Sequence, residues 1–223
     1  MLQSPYHRTR VEAARCLHGM CVSIPNKSSS ILQNMSNSLM STHAEFSSSD
    51  RGWSFRLQGQ AAALSAILCV GLSSRDGFPE QEIGVALAVA RALVARQHDS
   101  TLDRETNLVC TRSGWNVVSA LVSLGPSYCG VHLLELLPMW KMAMKIRKDR
   151  DAESNAKYLI FATSAMARFA ESCGELLRDR RDLCERMVEM LVSPLTLLVS
   201  ESGKKNSNDS KGMGWLRTVV MET

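Results

Sequence analysis

Aromatic residues make up only 5% of this 223-residue chain, and glycine (13) and proline (6) are sparse for its length. Strands draw on aromatic and β-branched residues and need frequent turn formers, so this scarcity argues against a sheet-rich fold. No apolar run is long enough to span a bilayer. The first residues lack the charged, apolar and small-residue regions of a secretory leader, so a cytoplasmic address is expected. Neither sign of charge dominates: 26 Lys and Arg stand against 22 Asp and Glu, a formal net charge of +4. That mild excess is not the footprint of a dedicated nucleic-acid binder.

Signatures of common catalytic chemistry are also missing. The chain has no Walker-type phosphate loop, no GxGxxG after a strand, no GxSxG elbow and no HExxH. No enzymatic activity, cofactor or metal is therefore expected. Cys16, His18 and Cys21 have C-x-H-x2-C spacing, but no second ligand pair follows at finger spacing. On a helix, Cys16 and His18 point to different faces. Packed thiols and a surface histidine are the expectation. His98 and Asp99 are adjacent at a helix end. Adjacency supplies neither the hydrogen-bond geometry nor the nucleophile of a catalytic dyad, and a histidine in the field of a helix C-terminus is the simpler reading. His132, followed by two leucines, reads as a core-edge residue. The seven cysteines are odd in number and scattered through apolar stretches, which suits buried free thiols rather than a disulfide framework.

What is present is a 45% hydrophobic content carried by Ala, Leu, Val and Met, all better suited to helices than to strands. Apolar residues recur at helical spacing in eight segments: residues 6–23, 27–46, 53–72, 80–97, 104–124, 127–144, 156–173 and 176–199. Pro25 closes the first, Gly125-Pro126 ends the fifth, and Pro138 should kink or tighten the sixth. Short connections between helices predict antiparallel neighbours. The expected fold is all-α: about four helical hairpins stacked as an α-solenoid, with first helices starting near Tyr6, Trp53, Arg104 and Ala156. A period of about fifty residues is a little above that of HEAT or armadillo units. Ala61, Ala62, Ala63 and Ala66 would let helices approach closely, and Trp53, Trp115 and Trp140 would fill wider gaps, provided each indole N–H finds an acceptor. Residues 1–199 form the expected repeat segment. Residues 200–223 are expected to be a polar, flexible tail with a short apolar remnant, and the chain reads as a fragment of a longer array with flanking repeats.

Several clusters have both a binding and a bland reading. Lys141, Lys145, Arg147, Lys148 and Arg150 form a basic connector that is a candidate contact for anionic lipid or an acidic partner. Asp149, Asp151 and Glu153 dilute it, and a solvated loop between repeats is the commoner case. The stretch RDRRD at 178–182 mixes signs and reads as an exposed helix face. Met187 and Met190 read as core filling. The serine runs at 28–30 and 47–49 fit caps and loops more often than phosphorylation sites.

Four groups of strings in order carry a family resemblance. RVEAARCL stands at 10–17. Gly114-Trp115 precedes LGPS at 124–127. HLL at 132–134 precedes LPMW at 137–140. Ala165-Met166, Phe169 and Cys173 precede ELL at 175–177. In this order and spacing, over most of residues 8–199, the chain resembles the HEAT repeat-containing protein 5 family. The resemblance implies part of a long, non-catalytic cytosolic scaffold, peripheral at the trans-Golgi network, endosomes and clathrin-coated vesicles. It implies work with the clathrin adaptor complex and its accessory proteins in endosome-to-Golgi transport and protein localisation. It brings no catalytic residues. The alternative is a helical scaffold of another class, such as a transport receptor or a phosphatase-type regulatory subunit. A receptor for basic cargo needs an acidic concave face, which a mildly basic chain does not favour.

Overall fold

The computed structural model describes residues 1–46, 50, 52–72, 77–99, 101–147 and 150–205. Among them are nine α-helices and no strand: α1 (His7–Ser23), α2 (Pro25–Ala44), α3 (Trp53–Leu68), α4 (Glu80–Ala95), α5 (Arg104–Val122), α6 (Pro126–Ala143), α7 (Ala152–Ser172), α8 (Gly174–Asp179) and α9 (Arg181–Lys205). Single 3-10 turns at Cys69–Leu72 and Arg96–His98 extend α3 and α4. No helix among the described residues is long and apolar enough to cross a membrane.

The helix starts follow from local chemistry. Proline occupies the first turn of α2 and of α6, where its missing N–H costs nothing and its fixed φ suits the helix. Pro25 thus opens the second helix as well as closing the first. Asp103 caps α5 by accepting from Thr106 N at 2.9 Å, and Asp151 caps α7 by accepting from Ser154 N at 2.7 Å. The Asp151 cap starts the seventh helix at Ala152, earlier than the sequence reading placed it, so that Asn155 falls in its first turn. Gly125 takes φ 97° between α5 and α6, a left-handed conformation that favours glycine.

The helices stack as a two-layered, repeat-like array. In one layer α1, α3, α5 and α7 lie in succession, with α9 against α7. In the other α2 packs on α4, α4 touches α6, and α6 touches α8. Between layers, α2 runs closely along α3 and α4 along α5. The bonds Trp53 Nε1 to Thr42 O (2.6 Å) and Gln60 Nε2 to Ser38 Oγ (2.8 Å) show α2 and α3 to be antiparallel. The close antiparallel partners are thus α2 with α3 and α4 with α5, which pack more tightly than the helices within the expected hairpins, α1 with α2 and α5 with α6.

Side-chain bonds between equivalent helices report the period directly. Arg10–Gln58 spans 48 residues, Ser29–Glu82 and His43–Arg96 each span 53, Arg91–Glu135 spans 44, and Arg104–Asp151 spans 47. The repeat of about fifty residues read from helix spacing is thus a physical register.

α3 and α5 lie at the centre and are buried along their lengths, including Leu57, Ala61, Leu64 and Ile67 of α3. Glycine serves close approach at two points. A Cβ on Gly59 would lie 1.8 Å from Leu2 O, and one on Gly114 would lie 2.9 Å from Ala90 O. The large core side chains form a run across repeats. Trp115 stacks on Trp140, and Trp140 meets Phe169 edge-on with centroids 5.4 Å apart. Met187 is buried and Met190 packs against the core, as expected of filling residues.

The segment read as one eighth helix is two. Arg180 breaks it with φ −119° and ψ 74°. Its guanidinium forks onto Asp182 at 3.0 and 3.1 Å across the junction of α8 and α9. α9 then runs to Lys205, past the expected end at residue 199. The expected apolar remnant at 215–223 and the serine run at 47–49 lie outside the described residues.

Candidate interaction surface

The basic connector is built from Asn155 outward. In the first turn of α7, Asn155 Nδ2 donates to Arg147 O (2.9 Å) and Arg150 O (3.4 Å), while its Oδ1 accepts from Arg147 N at 3.2 Å. The loop so held turns both arginines toward the preceding repeat. Arg147 donates to Gln97 O at 3.4 Å, Arg150 donates to the same carbonyl, and the Arg150 guanidinium lies 4.0 Å from the Tyr158 ring centroid. Arg147 and Arg150 therefore tie one repeat to the next. Lys141 and Lys145 are exposed. Lys148 lies outside the described residues.

The same device occurs one repeat earlier, where Asn107 Nδ2 donates to Asp99 O (2.8 Å) and Leu102 O (3.5 Å). Its signature was present in the sequence as DRETN at 103–107 and DAESN at 151–155. In each, the Asp caps the helix and the Asn holds the incoming loop. Bonds from Thr106 and Ser154 hold the Asp103 and Asp151 carboxyls below the usual carboxylate range. Thr101 and Arg96 bring Asp99 down to about 2. Arg96 also donates to His43 Nε2 at 2.9 Å. Burial first, and then the Arg96 charge, hold the His43 imidazole below its ordinary value.

The largest exposed apolar feature of the second layer is α6. Leu134 is 86% exposed and Val131 63%. α6 stands further from α4 than α2 does, and a groove of about 220 Å³ opens between α4 and α6. Arg91 and His98 lie on one wall, Leu134, Pro138 and Met142 on the other. Arg91 reaches across to Glu135 at 3.2 Å. Gln97 sits in the floor: its Nε2 donates to Ala143 O at 3.4 Å, and its buried Oε1 receives no hydrogen bond from the described residues. Pro138 has no N–H to give to Leu134 O one turn before it, so that carbonyl loses its helical donor. On the far side of α6, Leu137, Pro138 and Lys141 face Arg186 and Met190 of α9 across a wider hollow. Of the leucines in HLLELL, Leu133 and Leu136 are buried, while Leu134 is the surplus that one helix face cannot hide.

His98, at the groove wall, is held below its ordinary pKa by burial and then by Arg147, Arg150 and Lys145. His132 lies at the core edge, with Nδ1 3.4 Å from Glu135 and its ring 4.5 Å from that of Tyr128. Cys16 is exposed and Cys21 buried. Burial pushes the Cys110 thiol up to about 12 and raises Cys129 and Cys173 as well. Among the described residues no group of three or more His, Cys, Asp or Glu is placed to hold a metal ion. The arrangement leaves an apolar ridge, Val131 and Leu134, exposed on α6. No family model matches the chain, and no solved structure gives a significant match to it.

Proposed function

We propose that this chain is a non-catalytic scaffold segment of the HEAT repeat-containing protein 5 type, which binds other proteins in clathrin-adaptor-linked traffic from endosomes to the trans-Golgi network. The observation that carries the binding role is α6, whose exposed Leu134 and Val131 form an apolar ridge with hollows on both sides. Exposed apolar patches of this kind mark sites of association. A stacked array suits the role, because it holds an extended surface rigid while its core lies between the layers. Fold alone does not assign a function. The traffic assignment rests on the ordered strings from RVEAARCL to ELL. On this reading the protein works in the cytoplasm and reaches membranes through its partners.

Affinity capture from cytosol tests the reading, with the whole chain as bait and a Trp115→Ala chain as the packing-deficient control. Recovery of clathrin-adaptor components by the intact bait alone is the expected result. Recovery of none by a bait that is folded and helical would overturn the traffic assignment.

A further inference from the structure

Two thiols meet where three helices converge. Cys129 stands in the first turn of α6, and Cys173 caps the end of α7. Both are free thiols and fully buried, at 0% exposure. Their sulfurs lie against one acceptor, the Val122 carbonyl at the end of α5, at 3.5 Å for Cys129 and 3.8 Å for Cys173. The two thiols are also within hydrogen-bonding reach of each other. Sulfurs so placed need little movement to bond, provided their Cβ atoms face one another.

Burial raises both thiols above their ordinary range, so neither is a thiolate while the site is closed. Oxidation therefore waits on a local opening. Cys173 is the thinly covered side of the pair. It leads into α8, a six-residue helix with no buried residue. A Cβ built on Gly174, the next residue, would meet nothing within 4 Å. Cys129, one turn into a longer helix, is held by its backbone bond to Gly125 O at 3.1 Å.

We infer that Cys129 and Cys173 are a redox-sensitive pair, which glutathione disulfide closes to a disulfide that clamps the start of α6 to the end of α7. On opening, Cys173 gives its proton to solvent, and its thiolate attacks one sulfur of glutathione disulfide. The S–S bond of that molecule breaks, one glutathione thiolate leaves, and a mixed disulfide stays on Cys173. On reclosing, Cys129 loses its proton and its sulfur attacks that of Cys173, so the second glutathione thiolate leaves. Each leaving thiolate takes up a proton. Two protein thiols are thereby oxidised, and one glutathione disulfide is reduced to two glutathione molecules. The bond would fix the helix that carries the exposed Val131 and Leu134 at its first turn. This goes beyond the scaffold reading and rests on no partner.

The test uses the whole chain with Cys16→Ser and Cys184→Ser, which remove the two exposed thiols. It is incubated with glutathione disulfide in urea below the unfolding midpoint, blocked with N-ethylmaleimide and digested without reductant. Mass spectrometry should find one peptide pair, linked through Cys129 and Cys173 and released by dithiothreitol. The linked chain, returned to buffer, should melt at a higher temperature than the reduced chain, since the bond closes a loop in the unfolded state. With Cys129→Ser, the reaction should stop at glutathione on Cys173, and faster than Cys173→Ser takes glutathione on Cys129. No linked peptide, a link through any other pair, or a linked chain that melts lower would overturn the inference. The reverse order of glutathione uptake would overturn the role given to Cys173. If either serine variant unfolds, the linked peptide of the parent still decides.

Discussion

The indole of Trp115 in α5 lies nearly parallel to that of Trp140 in α6, at 15° with ring centroids 6.5 Å apart, within the range of favourable aromatic pairs. Trp140 in turn abuts Phe169 of α7. Consecutive helices α5, α6 and α7 are thus joined by one aromatic run. Neither Trp115 nor Trp140 finds an acceptor for its indole N–H among the described residues, unlike Trp53, which donates to Thr42 O. The condition placed on these tryptophans from sequence is met at Trp53 alone.

Trp115→Ala should therefore cost about 3–5 kcal/mol, the range for removing a large buried aromatic. Trp115→Phe should cost clearly less, because it keeps a ring in the stack and removes a buried N–H that has no partner. Chemical unfolding followed by circular dichroism checks both. Equal losses for the two variants would mean that ring stacking is not what Trp115 contributes.

Asn155 holds the connector that carries Arg147 and Arg150. Asn155→Leu should leave the Arg147 and Arg150 carbonyls without their side-chain donor and cost about 1–3 kcal/mol. Amide exchange should rise in the segment before Asp151. Asp151→Ala removes the cap and should cost about 1 kcal/mol. Asn107→Leu should loosen the equivalent loop one repeat earlier.

Gly114 and Gly130 should respond to alanine in opposite directions. A Cβ at Gly114 meets Val94 Cγ2 at 2.8 Å and the Ala90 carbonyl at 2.9 Å, so Gly114→Ala should cost about 1–3 kcal/mol by overpacking α4 on α5. A Cβ at Gly130, inside α6, meets nothing within 4 Å. Gly130→Ala should stabilise by about 0.5–1 kcal/mol. Thermal melts of the two variants against the parent provide the comparison.

The pH dependence of stability should show two windows. His43 accepts from Arg96 in its neutral form, and its folded pKa lies below the ordinary 6.5. The unfolded chain therefore takes up that proton first as pH falls, so stability is full above 6.5 and declines below it. His98 acts in the same direction. Asp99, Asp103 and Asp151 have folded pKa values below the ordinary 3.8, so what they contribute is present above 3.8 and is lost as pH falls through their folded values. Urea unfolding across pH checks this. His43→Gln should shrink the first decline and leave the second.

Local patterning made the helices legible. Ala, Leu and Met recur at helical spacing, and the spacing of helices reveals the period; Pro25 and Pro126 read from sequence as helix ends, yet each also opens the next helix. What stayed hidden depends on partners a whole repeat away. Arg147 and Arg150 form a basic run in sequence, yet both turn to Gln97 O, 50 and 53 residues distant. Arg180 reads as one more charge on a helix, yet its backbone leaves helical geometry there and its guanidinium pairs with Asp182. Leu134 sits in a leucine-rich run, and only the packing of α6 against its neighbours decides which leucines are left outside.

The measurement that bears most directly on a scaffold role is sedimentation of the purified chain with purified clathrin adaptor complex and its accessory proteins. The expected result is a saturable co-sedimenting species that the intact chain forms and Trp115→Ala does not. An intact chain that is fully helical and sediments alone at every partner concentration would contradict it.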